Sequence, residues 1–189
     1  MRVGVLAMQG AFAEHEGALI RIGVEPQRVR LPQDLEELDG LIIPGGESTT
    51  MGRLMQRWGL LEPIRALVRS GRPLWGTCAG LILMAREVID GVPGQPLLGL
   101  MDMRVRRNAF GRQVDSFEAD VAVPVLGERP FRAVFIRAPS IEWLADDVEI
   151  LACLQGGTPV AVRQRNLWAT AFHPELVDDD RFHRCFVGL

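Results

Sequence analysis

A parallel α/β core with an antiparallel extension is the fold class predicted by three features of this sequence. Short apolar runs alternate with segments of helical spacing over the first half of the chain. Several of those runs are apolar at every position, as strands buried on both faces of a parallel sheet are. Beyond residue 90 the texture changes to closely spaced short strands separated by Gly, Pro and Asp, which suits antiparallel pairing.

Taken in order, residues 3–8 form an apolar strand that ends at Gln9-Gly10. Residues 11–22 have helical spacing, with Phe12, Ala18, Leu19 and Ile22 on the apolar side, and Gly23 as the stop. Residues 27–31 make a poorer strand. Residues 41–43 make a third, closed by Pro44-Gly45-Gly46-Glu47-Ser48, where Ser48 suits a helix N-cap. Two helices follow over 51–58 and 60–70, broken near Gly59. Gly71 is placed to end the second. Residues 73–77 then run as a strand into Gly76-Thr77-Cys78-Ala79-Gly80 and leave as a helix-compatible apolar segment. After a loop at 90–96, strands are expected at 103–107, 117–123, 131–136, 149–154, 159–163 and 167–172. Gly156-Gly157 marks a hairpin turn. A short helix at 178–187 closes the chain. With no repeat or linker, residues 1–189 are expected to form one domain.

Composition removes several functions. A net charge of −3 offers no polyanion-binding surface, so no nucleic-acid partner is expected. No apolar run approaches membrane-spanning length, and the apolar start is too short for a signal peptide. All 21 basic residues are Arg; without a lysine there is no Schiff-base chemistry and no Walker-type phosphate lysine. Cys78, Cys153 and Cys185 form no disulfide framework and no CxxC pair, which suits a reducing cytoplasm. Neither a metal site nor a resident cofactor is expected.

Cys78 is the strongest candidate for chemistry. A nucleophile on a strand–turn–helix elbow is held out from the sheet at a helix N-terminus, where partial positive charge favours a thiolate and free N–H groups can receive an oxyanion. The competing reading is a small buried hydrophobe. A thiolate needs a proton partner. His173, just past the last strand, has Glu175 two residues on, so an extended segment points both side chains the same way. The alternative there is a solvated loop. His15, between two glutamates, and His183, beside Arg184, are both expected on the surface. The Pro44–Ser48 loop could converge N–H groups on an anionic or carbonyl oxygen, or be a plain glycine turn. Arginines at 104, 106, 107 and 137 could grip a carboxylate or line a solvated strand face. Trp58, Trp75, Trp143 and Trp168 are read as core.

The Gly76–Gly80 elbow and Phe172-His173-Pro174-Glu175 together resemble the triad-type glutamine amidotransferases. Longer strings narrow this. Val5-Leu6-Ala7-Met8-Gln9-Gly10-Ala11, the run from Leu41 to Met51, Arg107-Asn108-Ala109-Phe110-Gly111-Arg112-Gln113, Ser116-Phe117-Glu118-Ala119 and Phe135-Ile136-Arg137-Ala138-Pro139 are similar to the glutaminase subunits of pyridoxal 5′-phosphate synthase. The resemblance covers almost the whole chain. It implies a flavodoxin-like three-layer glutaminase domain and hydrolysis of L-glutamine to glutamate and ammonia. Cys78 would form a glutamyl thioester, His173 would shuttle the proton, and Glu175 would orient His173. Gly46 and Ala79 would supply the oxyanion hole. Gly46, Glu47, Ser48, Arg107, Ile136 and Arg137 would hold the substrate, and Gln9 would support the glycine loop when the partner docks. That partner would be a barrel-shaped synthase subunit in a large heteromeric complex. Relatives are expected to run slightly beyond the position of Leu189. Two other functions compete: a cysteine peptidase or γ-glutamyl hydrolase on a similar fold, and a non-catalytic regulatory module.

Overall fold

The computed structural model describes residues 1–107 and 116–189. Its spine is a seven-stranded sheet. The parallel part consists of β1 (Arg2–Leu6), β2 (Glu25–Val29), β3 (Gly40–Ile43), β4 (Leu74–Thr77) and β12 (Leu167–Thr170), in the spatial order β12-β4-β3-β1-β2. That order is the flavodoxin-like one. Every residue of β3, β4 and β12 is buried, the signature of strands covered on both faces. Beyond β12 the sheet continues antiparallel through β11 (Pro159–Gln164) and β10 (Glu149–Cys153), turning at Gly156-Gly157.

The crossovers are helical. α1 (Phe12–Arg21) joins β1 to β2. α2 (Ser48–Arg57) and α3 (Leu61–Arg69) lie between β3 and β4. α4 (Ala79–Met84) follows β4. The cap of α2 is Glu47 rather than Ser48: its carboxylate accepts from the Thr49 and Thr50 backbone N–H groups at 3.0 and 2.7 Å. A carboxylate can take two orphan donors at once and complements the helix dipole, which a hydroxyl cannot do as fully.

Two small sheets complete the molecule. One comprises β5 (Ala85–Val88), β6 (Met101–Arg106) and β9 (Ser140–Leu144). The other is the ribbon of β7 (Ser116–Val121) and β8 (Phe131–Ile136). β5 and β9 are additions to the strands expected from sequence. The apolar run after Cys78 hides the point at which the helix gives way to a strand, and β9 is short and half exposed. The last helix, α5 (Arg181–Val187), packs Phe182, Phe186 and Val187 into the core beside Trp75 and Phe131. Trp58 and Trp143 are about half exposed instead of core; Arg57 and Arg104 lie over their faces. No helix among the described residues is long and apolar enough to cross a membrane.

Candidate active site

Four parallel strands end on the same side of the sheet, and each contributes to one cleft. β1 leads to Gln9, β3 to Gly45 and Gly46, β4 to Cys78, and β12 to His173. Sites in open α/β sheets gather at these carboxyl ends.

Cys78 sits at φ 50° and ψ −100°, a left-handed conformation that costs a non-glycine residue about 1–3 kcal/mol. Packing holds it there. Its N–H donates to Thr170 O at 2.8 Å, and Thr77 pairs with Thr170 in the parallel register of β4 and β12. Gly80, two residues on, lies against the backbone of Ile43, where a Cβ would collide with the Ile43 carbonyl. The elbow can therefore turn only over a small residue. Cys78 Sγ faces the Ile136 carbonyl at 3.8 Å.

His173 is tied through its backbone N–H to Val134 O at 2.8 Å. Its Nδ1 lies 2.7 Å from Glu175 Oε1. A carboxylate only accepts, so the Nδ1–H donates, leaving Nε2 for Cys78. Burial works against charge on this ring, but hydrogen bonds to Cys78 and Glu175, with their negative charge, outweigh it and push the imidazolium up to about 10. Burial would likewise raise Glu175; the His15 and His173 rings facing it hold the carboxyl below the usual carboxylate range.

Gln9, Gly46, Glu47, Ser48, Cys78, Ala79, Arg107, Ile136, Arg137 and His173 together line a cavity of about 260 Å³. Each of these is a candidate from sequence; Ile82 also lines the cavity and is not one. Glu175 stands behind His173, out of the cavity. Gln9 Oε1 accepts from the Glu47 N–H at 2.7 Å and so braces the glycine loop. Arg107 donates to Thr49 Oγ1 at 3.0 Å and pairs with Glu47 at 3.2 Å. Burial pushes Glu47 up, but hydrogen bonds from Thr50 and Thr49 dominate and pull it to about 2. Glu47 and Arg107 thus stand paired with each other at the cavity wall. Arg137, at φ 42°, is a second strained residue at the rim. Residues 108–113 of the Arg107 string lie outside the described residues.

Two histidines expected on the surface are fully buried. His15 and His183 each have 0% exposure, and His15 Nδ1 lies 2.9 Å from His183 Nε2. The spacing of Phe12, His15, Leu19 and Ile22 places His15 on the apolar face of α1; its polar neighbours Glu14 and Glu16 conceal this. In α5 the same 3–4 spacing aligns His183 with Phe186 and Val187.

The SNO glutamine amidotransferase family matches residues 5–189. The chain belongs to that family. Among similar curated proteins, "Pyridoxal 5′-phosphate synthase subunit PdxT" of Herpetosiphon aurantiacus is 61% identical over 190 residues, covering 100% of both chains. The protein of the same name from Roseiflexus castenholzii is 57% identical over 189 residues, again covering all of both. A crystal structure described as a glutamine amidotransferase superposes with a TM-score of 0.93, at 50% identity and 99% coverage of each chain. Both of these relatives are matched over their whole length, whereas the protein of the same name from Frankia alni, 57% identical, is matched over 94% of its length and is therefore longer, as expected of some relatives.

Proposed function

We propose that residues 1–189 act as one glutamine amidotransferase domain that hydrolyses L-glutamine to L-glutamate and ammonia, and that a synthase subunit uses the ammonia to make pyridoxal 5′-phosphate. The observation that carries the chemistry is the strained Cys78 elbow, which shares its cavity with His173, itself held by Glu175.

In this mechanism Cys78 Sγ attacks the side-chain amide carbon of glutamine, with its proton held by His173. The N–H groups of Gly46 and Ala79 receive the oxyanion. His173 gives the proton to the departing nitrogen, ammonia leaves, and a glutamyl thioester remains. His173 then takes a proton from water, whose oxygen attacks the thioester, and glutamate departs as the thiol is restored. An imidazolium stable up to about 10 suits the acid step. Glu47, Ser48, Arg107 and the Ile136-Arg137 pair hold the amino-acid end, and Gln9 couples the loop to the docked partner.

The partner is a barrel-shaped synthase subunit in a large heteromeric complex. The absence of any lysine supports this division, because a lysine-free chain cannot form the imine links of the cofactor synthesis. Three free cysteines suit a cytoplasmic setting.

The test is glutamate release from L-glutamine with and without the synthase subunit, for the parent and for Cys78→Ala. Activity that needs or strongly prefers the partner, and disappears in Cys78→Ala, supports the reading. Equal rates for the two chains would sink it. Hydrolysis of folate polyglutamates but not of glutamine would favour a γ-glutamyl hydrolase instead.

A further inference from the structure

Glu175 has a second histidine. Its Oε1 accepts from His173, while its Oε2 faces His15 Nε2 at 3.4 Å, with both side chains fully buried. Glu175 Oε2 and His183 Nδ1 are the buried side-chain atoms that find no hydrogen-bond partner of standard geometry among the described residues. Both belong to one line of groups running from Cys78 through His173, Glu175 and His15 to His183. Glutamine hydrolysis as described uses only the first half of that line.

The proton positions along this line follow from satisfiability. A bare His15 Nε2 would set its lone pair against the carboxylate, so Nε2 carries the hydrogen and lies 3.4 Å from Glu175 Oε2, an electrostatic contact without standard hydrogen-bond geometry. Its hydrogen-bond partner is Thr77 Oγ1, 3.3 Å from the same nitrogen. His15 Nδ1 is then bare, and the 2.9 Å contact requires His183 Nε2–H to donate to it. His183 Nδ1 is left as an unpartnered lone pair, a smaller penalty than an orphaned N–H. Trp75 walls both rings, with ring centroids 5.7 Å from His15 and 5.0 Å from His183. The other charged groups near the pair are Glu14 on α1, and Arg21 and Asp180, which pair with each other at 2.6 Å.

We propose that His15, with its tautomer set by His183, is a positioning residue that fixes the Glu175 carboxylate in the orientation that serves His173. Without the polar edge of His15 beside Oε2, the buried carboxylate can rotate about its last torsion, and the hydrogen bond to His173 Nδ1 loses its direction. Outer partners that orient metal-ligating histidines change affinity or activity by about 10–100-fold, and that scale sets the expectation for this line of groups. The inference rests on the glutaminase reading for its kinetic consequence, but its geometric content does not.

The experiment has two arms. The full chain is labelled with ¹⁵N-histidine; with only three histidines, His15→Phe and His183→Phe assign the ring signals. Neutral His15 and His183, both protonated on Nε2, are expected at pH 7; a His15 proton on Nδ1 overturns the proposal. In the second arm, glutaminase rates are measured with the synthase subunit present. His15→Phe is expected to lower kcat by about tenfold or more with little change in KM, and His15→Gln, which keeps an N–H donor, to recover most of it. In a Glu175→Gln background, His15→Phe should add less than about twofold, because the group it positions is already gone. A full multiplicative loss in that background, with parallel loss of folding, would show a merely structural histidine and overturn the proposal. A parent that is inactive on glutamine would count against the functional reading while leaving the NMR result to decide the geometry.

Discussion

Gly45 and His173 meet with no side chain between them. A Cβ on Gly45 would run into Cε1 of the His173 ring and stand 2.9 Å from Nδ1. The glycine loop thus supports the imidazole from one side, while Glu175 fixes it from the edge. Gly45→Ala must push the ring by a sizeable fraction of an ångström, and displacements near 1 Å cost about 100-fold in rate. Glutaminase kcat in the complex is expected to fall by about that factor, with a thermal unfolding midpoint close to the parent's. An alanine variant of full activity would show that the ring does not rest on this backbone.

Glu175→Gln removes a charge but keeps the shape. The His173 imidazolium should then drop from about 10 toward the ordinary histidine value, since one of the groups that outweigh its burial is gone. We expect kcat to fall by about 10²–10⁴-fold, as when the carboxylate orienter of a triad is neutralised. ¹⁵N titration of His173 gives the direct check; an unshifted titration would remove Glu175 from its role.

Arg107 touches Thr49 and Glu47 at the cavity wall. Arg107→Ala leaves the elbow intact but removes a cation that can fork onto a carboxylate. The expected result is a KM for glutamine raised by about 10–100-fold, with kcat changed much less. Steady-state kinetics in the complex decide it, and a kcat effect with KM unchanged would move Arg107 from binding to chemistry.

The buried histidine pair predicts acid sensitivity. Burial first, and the neighbouring His15 second, depress His183 to about 3, so the folded chain keeps it neutral while the unfolded chain takes a proton near 6.5. Stability from this group is complete above 6.5 and declines as the pH falls toward 3. Between pH 6.5 and 5 the loss is about 2 kcal/mol. His15, lowered chiefly by burial, adds to it in the same direction. His173, raised, works the opposite way: its contribution is present below 6.5 and fades as the pH climbs to about 10. Urea unfolding at pH 7 and pH 5 should show the loss in the parent and a smaller one in His183→Phe. Identical pH dependence in the two chains would refute the assignment.

Much of this architecture is legible in the amino-acid sequence. The core strands declare themselves because burial on both faces leaves uninterrupted apolar runs, as in Leu41-Ile42-Ile43. The elbow is readable because a sharp turn demands Gly76 and Gly80 by name. What stays hidden depends on direction and distance. His15 looks solvated from its neighbours in sequence, though a helix face is defined by residues three and four away. Ser48 looks like a cap, but the carboxylate one residue earlier competes better for two donors. Ile82 lines the cavity and Thr49 holds Arg107 only through folding, since their types carry no chemical signal.

The pairing of Thr77 with Thr170 has a consequence in time. Cys78, the proposed nucleophile, leaves the ribosome with β4, while His173, its proposed base, arrives only after β12, once every intervening strand has been made. A nascent chain truncated anywhere between the two carries the cysteine without its proton acceptor. Because β12 slots beside β4 and supplies the carbonyl that holds the Cys78 N–H, the strained elbow itself lacks support until then. Assembly of the Cys78–His173 arrangement is thereby deferred to the closing stage of synthesis.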